Sequence, residues 1–365
     1  MTRRVLIAGG GLSGLAVATL VARRGRPVEV YDRRIGGGGR FHGGWQIIEN
    51  ATGPGDALEE LRGLGLAIDF EVVPARHAVF LDGLGGVREV ASAQPYAYFI
   101  RRGRDGESLD AALRRQALAS GVVLHEGKVA PDIVDVVATG PRQADGVARE
   151  VVFTSDLPDT IAVMFDPEVT PTGYAYLFCL HGHATFGVAQ VRHVGRLRKA
   201  HGEAWQRFRE VFGAFAVRDR REGGQYMNFC LPRSLHGADG RWYAGEAAGV
   251  QDFLFGLGNR LALRTAALVA AGMDGEWDER RFRDSVLRPM RHTIALRFAY
   301  ERLGRGAFSR FCRYASRHDL RRLLIGLQRP SAAGLALAAV VMAAWRRRGG
   351  CRHAPLCGWC RRSEA

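Results

Sequence analysis

Residues 6–18 read "LIAGGGLSGLAVA": three consecutive glycines, and a fourth at Gly14, separate an apolar run from a helical pattern. Residues 5–8 are typical of a short buried parallel strand, and residues 12–24 have helical spacing with alanines suited to close packing. The glycines fit the pattern G-x-G-x-x-G, which turns the chain sharply, lets the backbone approach a pyrophosphate and packs the helix on the strand. The segment therefore predicts a phosphate-binding turn whose contacts come from Gly9, Gly11, Leu12, Ser13 and Gly14.

A second strand with an acidic end extends this prediction. Residues 27–32, "PVEVYD", have strand character and end in Asp32, whose carboxylate can accept hydrogen bonds from an adenosine ribose. Residues 33–44, "RRIGGGGRFHGG", are basic and glycine-rich without helical or strand periodicity, whereas an NAD domain normally continues into another strand–helix unit. A backbone that follows a long cofactor suits this segment better. We therefore expect FAD, with Arg33 and Arg40 among its contacts.

Residues 241–270, "RWYAGEAAGVQDFLFGLGNRLALRTAALVA", resemble the second FAD fingerprint of the geranylgeranyl reductase and flavoprotein monooxygenase (p-hydroxybenzoate hydroxylase-like) group. The resemblance implies that Gly245 and Glu246 bind the ribityl or pyrophosphate part of FAD, although Glu246 stands where the group has Asp. It also implies that Gly256, Gly258 and Asn259 approach the flavin ring. Independently of the resemblance, a helix that begins at Gly258 would direct its positive end at the flavin and stabilise the reduced, anionic ring.

Two further segments carry the resemblance. Residues 101–127 match the group's arginine before a helix start and imply that Arg102, with Arg101 as the alternative, contacts FAD. Here Ser108 is a typical N-cap for a helix over residues 109–120. Residues 134–140 then form a strand and an Ala-Thr-Gly turn, which implies a cofactor contact at Gly140.

Residues 173–191, "GYAYLFCLHGHATFGVAQV", resemble the strand that lines the lipid pocket of geranylgeranyl reductases. Tyr174, Tyr176 and Phe178 alternate, so in a strand they share one face and form an aromatic wall, unless the strand is an ordinary core strand. Tyr176 and Cys179 stand where the group has Trp and Pro. Reduction of a double bond needs a proton donor, for which Tyr174, Tyr176 and Cys179 are unassigned candidates, together with His181 and His183.

These segments predict an α/β fold: a Rossmann-type, glutathione reductase-like FAD-binding domain, an interleaved and mostly antiparallel β-sheet substrate domain, and a helical C-terminus. The predicted boundaries are as follows: FAD-binding domain at residues 1–50, 100–149 and 239–275; substrate domain at 51–99 and 150–238; helical basic region at 276–345; and a disordered Cys/Arg tail at 346–365.

The net charge of +15 belongs to the C-terminal quarter, because residues 276–365 hold 20 Arg against 7 acidic residues. Apolar residues recur at helical spacing over residues 308–327, with arginines on the opposite positions. Such a helix can lie on an anionic membrane or pack on the domain. The charge-free segment 332–345 is too short to cross a bilayer but long enough to cover an apolar pocket.

The tail contains four residues that can bind metals, Cys351, His353, Cys357 and Cys360, but we expect no metal, since structural zinc ligands are usually separated by a folded loop. The basic region has neither a DNA-reading helix nor an aromatic-studded sheet, so nucleic acid is not an expected partner. The start of the sequence lacks the apolar core of a secretory signal. We expect a cytoplasmic protein whose basic C-terminus can contact the inner membrane face.

The function predicted from these observations is FAD-dependent reduction of carbon–carbon double bonds in an apolar, isoprenoid or lipid-like substrate. An NAD(P)H- and FAD-dependent monooxygenase and a non-catalytic flavin-binding protein are the alternatives. No second complete G-x-G-x-x-G domain is present, so we expect NAD(P)H to bind transiently, or an electron-donor protein to supply the electrons.

Overall fold

A computed structural model describes residues 3–36, 38, 41–191, 194–344 and 357. The glycine-rich N-terminal segment forms part of a five-stranded parallel sheet with strand order β15-β9-β1-β2-β8. Apolar residues make up the central strand, Val5–Ala8, which is largely buried. The strands are β1 (Val5–Ala8), β2 (Val28–Asp32), β8 (Val123–Glu126), β9 (Val136–Val137) and β15 (Trp242–Tyr243).

Three helices pack around this sheet: α1 (Leu12–Ala22), α3 (Leu109–Ala119) and α5 (Asn259–Met273). Helix α1 contacts both α3 and α5, and ten of its eleven residues are buried, which its alanines and glycine allow. Helix α3 begins where the sequence predicts, because the Ser108 hydroxyl accepts a hydrogen bond from the Ala111 amide at 3.1 Å.

A seven-stranded sheet has the order β14-β10-β13-β12-β11-β5-β6 and is antiparallel except at the β5–β11 pair. Its strands are β5 (His77–Asp82), β6 (Val87–Ala91), β10 (Gly146–Thr154), β11 (Thr160–Phe165), β12 (Gly173–Leu180), β13 (His183–Gln190) and β14 (Arg218–Met227). Helix α4 (Leu197–Phe212) covers one face through Phe208 and Trp205, which pack near Phe186.

A smaller three-stranded sheet connects the two large ones, in the order β3 (Trp45–Glu49), β7 (Ala97–Arg101) and β4 (Val73–Ala75). The paired residues Ile47 and Phe99 lie on the same face and join a cluster with Phe178 of the seven-stranded sheet. Helix α2 (Ala57–Gly63) follows β3 and is capped by Asp56. This sheet therefore joins the N-terminal domain to the aromatic strand β12.

The C-terminal region is helical, as the sequence predicts. It contains α6 (Glu279–Phe282), a π-helical segment (Arg283–Leu287), α7 (Arg288–Tyr300), α8 (Arg305–Ala315), α9 (Leu320–Gln328) and α10 (Ala332–Ala344). Phe308 and Cys312 of α8 and Leu320 of α9 are buried against Phe80 and Phe165 of the seven-stranded sheet. The apolar stripe predicted over residues 308–327 thus serves to pack these helices on the domain.

Arg321, one of the arginines opposite this apolar stripe, is buried instead of exposed to solvent. Its side chain donates hydrogen bonds to the carbonyls of Asn50 and Pro54, at 2.8 and 3.0 Å, and to Gln94 at 2.9 Å. It therefore fastens α9 to the loop that follows β3. Among the described helices, none is both long and apolar enough to span a membrane alone; the pair α9 and α10, bent by 59°, meets the length and composition requirement together.

The predicted α/β fold is confirmed, with its parallel cofactor-domain sheet, interleaved antiparallel sheet and helical C-terminus. Strand β10 begins at Gly146, before the predicted domain boundary at residue 150. In the tail the structure describes Cys357, which is buried and forms a β-bridge with Pro232. Cys351, His353 and Cys360 lie outside the described residues.

Candidate functional site

A cavity of about 990 Å³ runs from the glycine-rich turn between β1 and α1 to the aromatic face of β12. This volume is at the upper end of the range for small-molecule sites, so the space suits a long ligand. Its lining combines backbone of the parallel-sheet domain, polar side chains near the start of α5 and apolar side chains of the seven-stranded sheet. One cavity therefore joins a phosphate-binding turn to an apolar compartment.

Each glycine of the turn is needed for a different structural reason. Gly9 has a φ of +105°, and a Cβ there would lie 2.3 Å from the Ala138 carbonyl oxygen. A Cβ at Gly14 would lie 1.8 Å from the carbonyl oxygen of Gly9. At Gly11, by contrast, a Cβ would meet no atom of the described residues within 4 Å, and Gly11 lines the cavity. The first two glycines allow the turn to close, and the third leaves room for a ligand at the helix start.

The N-terminus of α1 opens on this space. Gly11 is its N-cap, the first turn holds no acidic residue, and within the described chain no side chain caps the helix. Leu12 and Ser13 of the first turn also line the cavity. Free amides and the positive end of the helix dipole therefore face a ligand, which is the arrangement that binds phosphate groups.

Asp32 has the position predicted for a ribose ligand. It ends β2, lines the cavity, and its Oδ2 atom accepts a hydrogen bond of 2.7 Å from the Gly10 amide. Oδ1 accepts a second bond, of 2.8 Å, from the Arg34 amide. These backbone bonds hold the carboxylate beside the turn. Arg33 and Gly140 line the same end of the cavity, whereas Arg40 lies outside the described residues.

A second helix N-terminus lines the same cavity. Gly258 is the N-cap of α5, again with no side-chain cap in the described chain, and Gly256, Gly258 and Asn259 all line the space. Gly256 has a φ of +73°, and a Cβ there would lie 2.4 Å from the Met227 sulphur. The structure thus places the predicted flavin-contacting residues together, with the positive end of α5 directed at the cavity.

Gly245 and Glu246 lie between the two helix starts. A Cβ at Gly245 would approach the Ser13 hydroxyl to 2.7 Å, so the glycine permits the close contact between its turn and α1. Glu246 lines the cavity, and its carbonyl oxygen accepts a bond of 3.1 Å from the Asn228 side chain. The longer carboxylate that replaces the usual Asp is therefore still at the cofactor end of the cavity.

Of the two candidate arginines, Arg102 lines the cavity. It forms a two-point ion pair with buried Asp110, at 2.7 and 3.0 Å, and donates to the Asn259 side-chain oxygen at 2.7 Å. Arg101 instead binds three carboxylates on the other side of the strand, those of Glu71, Asp105 and Glu107. The structure favours Arg102 as the cofactor contact.

The aromatic wall predicted from strand β12 lines the apolar end of the cavity. Tyr176 stacks on Phe178 with ring centroids 4.9 Å apart, and Tyr174 lies 5.9 Å from Tyr176. Gly187 on the neighbouring strand leaves room for the Tyr176 ring, since a Cβ there would lie 2.4 Å from it. The three aromatic side chains therefore line a binding compartment as well as belonging to the core.

The hydroxyls of both tyrosines are engaged. Tyr174 donates to the Phe255 carbonyl at 2.7 Å, and Tyr176 donates to the Glu150 carboxylate. Burial raises the pKa of both phenols far above the ordinary value, and for Tyr176 the neighbouring Glu150 adds to the effect. Both tyrosines are therefore weak proton donors near neutral pH.

Cys179, the third candidate proton donor, lies on the opposite face of β12. It is fully buried in the cluster beneath α4, with its thiol 3.2 Å from the Leu157 carbonyl. Burial raises the pKa of this thiol to about 11. His181 lies in the exposed turn after β12, where it contacts Glu71, and His183 is also exposed. None of these three residues lines the cavity.

Sequence reasoning missed several polar residues of the cavity: Gln46, Glu49, Glu150, Gln225 and Gln251. Burial raises the pKa of Glu49 to about 7, against the opposing charge of Arg260. The Glu49 Oε2 atom is buried and has no hydrogen-bond partner among the described residues. A lone acid at the end of the apolar strand "WQIIE" is the sequence signal that marks this residue.

The C-terminal helices close the apolar end. Phe311 of α8 and Leu324 of α9 line the cavity opposite strands β5 and β11, with Phe80 and Phe165. Within the residues that the structure describes, no group of three or more His, Cys, Asp or Glu side chains is arranged to hold a metal ion. The site therefore consists of a glycine turn, two helix N-termini and an apolar compartment.

The fold is that of an α/β protein whose parallel sheet begins with a Rossmann-like glycine turn. Residues 7–44 match the family model for the NAD(P)-binding Rossmann-like domain. A comparison with curated protein sequences finds no match.

Solved structures with the same fold include several flavoproteins. A geranylgeranyl bacteriochlorophyll reductase-like protein from Thermoplasma acidophilum is 15% identical, with 93% of this chain and 96% of that chain covered at a TM-score of 0.68. The flavin-dependent halogenase CmlS is 17% identical, with 94% and 77% covered at a TM-score of 0.59. The peptidyl tryptophan dihydroxylase QhpG is 18% identical, with 96% and 80% covered at 0.54. The likeness extends over nearly the whole chain and shows a shared fold.

Proposed function

We propose that this protein is an FAD-dependent oxidoreductase that reduces carbon–carbon double bonds of an apolar, isoprenoid or lipid-like substrate. The observation that carries the proposal is the single cavity of about 990 Å³, which begins at a phosphate-binding turn and ends among aromatic and aliphatic side chains. Such a space holds a dinucleotide and an apolar molecule in contact with each other.

The residues at one end fit FAD. Gly11 leaves space beside the free amides of α1, Asp32 is held in place for the ribose, and the start of α5 supplies a positive end for the ring. Bound FAD supplies the hydride chemistry that side chains lack. The protein contributes binding, orientation and exclusion of water, for which the buried Arg102–Asp110 pair fixes Asn259 near the ring position.

The apolar end suits a hydrocarbon substrate. Its lining includes Phe80, Ile161, Val163, Phe165 and Phe178, with α8 and α9 as a cover. Burial of an apolar chain in this compartment stabilises binding by about 25 cal/mol per Å² of surface removed from water. This lining supports the proposed substrate class, and so does the fold shared with a geranylgeranyl bacteriochlorophyll reductase-like protein.

Hydroxylation is the alternative reaction, since QhpG, which has the same fold, is a dihydroxylase. The two reactions differ in their need for oxygen. As a reductase, the purified yellow protein oxidises NADPH, NADH or a ferredoxin-like donor in the absence of air when a polyprenyl alcohol is present, and the product gains two hydrogens. Substrate-dependent oxygen consumption, with label from isotopic oxygen gas in the product, supports the hydroxylase instead.

A non-catalytic flavin-binding protein is distinguished by the same experiment. It retains FAD absorbance, but its flavin stays in one redox state when donor and substrate are added. A protein that remains colourless after addition of FAD contradicts all three hypotheses.

We further propose that the C-terminal helices contact an anionic membrane surface, from which a lipid-like substrate can enter the cavity. Helix α10 carries no charge and exposes Leu337 and Val340. Arg322 and Arg329 are exposed beside it, and Arg346-Arg347-Arg348 follow in the sequence. An apolar helix flanked by arginines is the pattern of an interfacial membrane segment.

A further inference from the structure

We infer that Glu49 is the acid that delivers the proton to the substrate during double-bond reduction. This inference rests on the proposed function, and it assigns the proton donor that sequence analysis leaves open. Four features of the site support it: the position of Glu49 in the cavity, the burial of its carboxyl group, the charges around it and the hydrogen bonds that occupy the competing donors.

Glu49 lines the cavity close to a residue that contacts both of its ends. It is the last residue of β3, and it lies opposite Ala97 of β7 in the antiparallel register. The next facing pair on the same side of this sheet is Ile47 and Phe99, which pack with Phe178 of the aromatic wall. Asn259, at the start of α5, donates a bond of 2.9 Å to the Ile47 carbonyl. Glu49 therefore lines the cavity one facing pair beyond Ile47, which contacts both the start of α5 and the aromatic wall.

The environment of the Glu49 carboxyl group favours its protonated form. The residue is only 6% exposed, and its Oε2 atom is buried without a hydrogen-bond partner among the described residues. Burial removes the hydration of this carboxylate, and that cost outweighs the attraction of Arg260 and the hydrogen bond from the Glu49 backbone, so the protonated form is favoured. The pKa of about 7 that results is close to neutral pH, where a general acid is most effective.

The neighbouring charges maintain this state. Arg260 and Arg264 of α5 favour the ionised form of Glu49, but both are committed to Glu60 of α2, with bonds of 2.6 to 2.8 Å. The charge of buried Asp252, in the loop before α5, favours the protonated form. Glu60 offsets one of the two positive charges, and burial outweighs the remaining attraction, so the pKa of Glu49 stays raised.

The competing donors are less suitable. Tyr174 and Tyr176 direct their hydroxyl hydrogens at the Phe255 carbonyl and at Glu150, and burial raises the pKa of each phenol. Cys179 lies on the far face of the strand. Of these four groups, Glu49 alone combines a place in the cavity with an acid strength suited to neutral pH.

The step balances with the reductant of the proposed function. The π bond of the alkene breaks; one carbon takes the hydride that reduced FAD supplies, and the adjacent carbon takes the proton of Glu49. The substrate is reduced by two electrons and the flavin is oxidised by two. The Glu49 carboxylate regains a proton from solvent, and a two-electron donor of the NAD(P)H class reduces the flavin again.

The first test uses infrared difference spectroscopy of the FAD-bound protein and needs no substrate. We expect a protonated-carboxyl band that is present at pH 6, disappears by pH 8 and is missing in Glu49→Gln. Asp252 is the other buried carboxyl with a raised pKa, so Asp252→Asn should keep the band that Glu49→Gln loses. A Glu49 carboxyl that is already ionised at pH 6 overturns the assignment, whatever reaction the protein catalyses.

The second test measures a single turnover without air. The FAD-bound protein is reduced with dithionite and mixed with geranylgeraniol in detergent micelles, and flavin oxidation is followed by absorbance. We expect Glu49→Gln to slow this oxidation about 100-fold, the lower range of general acid catalysis, with reduction by dithionite unchanged. Glu59→Gln, on the exposed side of α2, is the matched control and should react like the wild type.

The outcomes separate the two proposals. Equal rates in the wild type and in Glu49→Gln overturn the role of Glu49 and leave the reductase function standing. A wild-type protein that cannot reduce the alkene counts against the proposed function, while the infrared result reports independently on the protonation of Glu49.

Discussion

The buried carboxyl of Glu49 makes a quantitative prediction about stability. Burial raises its pKa from the ordinary 4.5 to about 7. Each unit of pKa difference between the folded and unfolded chain is worth about 1.36 kcal/mol. The shift of about 2.5 units therefore corresponds to about 3 kcal/mol, and Glu49→Gln removes this contribution because an amide does not titrate.

The sign follows from the order of the two pKa values. Below pH 4.5 the carboxyl is protonated in both the folded and the unfolded chain, so ionisation affects neither. Between pH 4.5 and 7 the unfolded chain releases the proton while the folded chain retains it, and the wild type loses stability as the pH rises. Above pH 7 the loss is complete. The stability of Glu49→Gln relative to the wild type should therefore rise by about 3 kcal/mol from pH 4.5 to pH 7.5.

Urea unfolding at fixed FAD concentration, followed by tryptophan fluorescence across this pH range, measures the difference. Any change in packing caused by the amide adds an offset to the free energy of unfolding that does not vary with pH. The test therefore uses only the change with pH of the stability difference between Glu49→Gln and the wild type. Asp239→Asn provides a control of opposite sign: although burial opposes it, the Tyr243 hydroxyl and Arg241 lower the pKa of Asp239. That variant should be least stable, relative to the wild type, at high pH. A pH-independent difference for Glu49→Gln refutes the reasoning.

Three further predictions concern the cofactor turn and the C-terminal helices. Gly11→Val should lower the FAD content of the purified protein without changing the unfolding midpoint of the FAD-free protein, since a Cβ at this position contacts no protein atom. Gly14→Ala should instead destabilise the FAD-free fold by more than about 3 kcal/mol, because its Cβ would overlap the Gly9 carbonyl oxygen. Arg321→Ala should cost about 3 kcal/mol in urea unfolding, since it removes three hydrogen bonds of a buried side chain. Exposed Arg322→Ala should stay within about 0.5 kcal/mol of the wild type. Removal of residues 331–365 should abolish flotation with vesicles rich in anionic lipid while FAD absorbance persists; unchanged flotation contradicts membrane contact.

Local signals in the sequence were enough to predict the glycine-rich turn and the elements around it. The glycine turn, Asp32 and the Ser108 cap depend on residues close together in the chain, and each imposes a backbone conformation that few other sequences adopt. The alternation of Tyr174, Tyr176 and Phe178 predicted their common face for the same reason, because a strand has a strict two-residue period. The amphipathic spacing of residues 308–327 likewise predicted helices. It did not decide whether their apolar face packs on the domain or lies on a membrane.

Packing between distant segments determined the rest. The three-stranded sheet brings Glu49 and its charged neighbours on α5, more than 200 residues away in the chain, into one buried environment, and its pKa comes from that environment. The pleat of β12 turned Cys179 away from the cavity, and the docking of α9 buried Arg321, which the helical pattern alone had placed in solvent. Conformations are encoded over a few neighbouring residues, whereas desolvation and charge pairing depend on which remote surfaces meet.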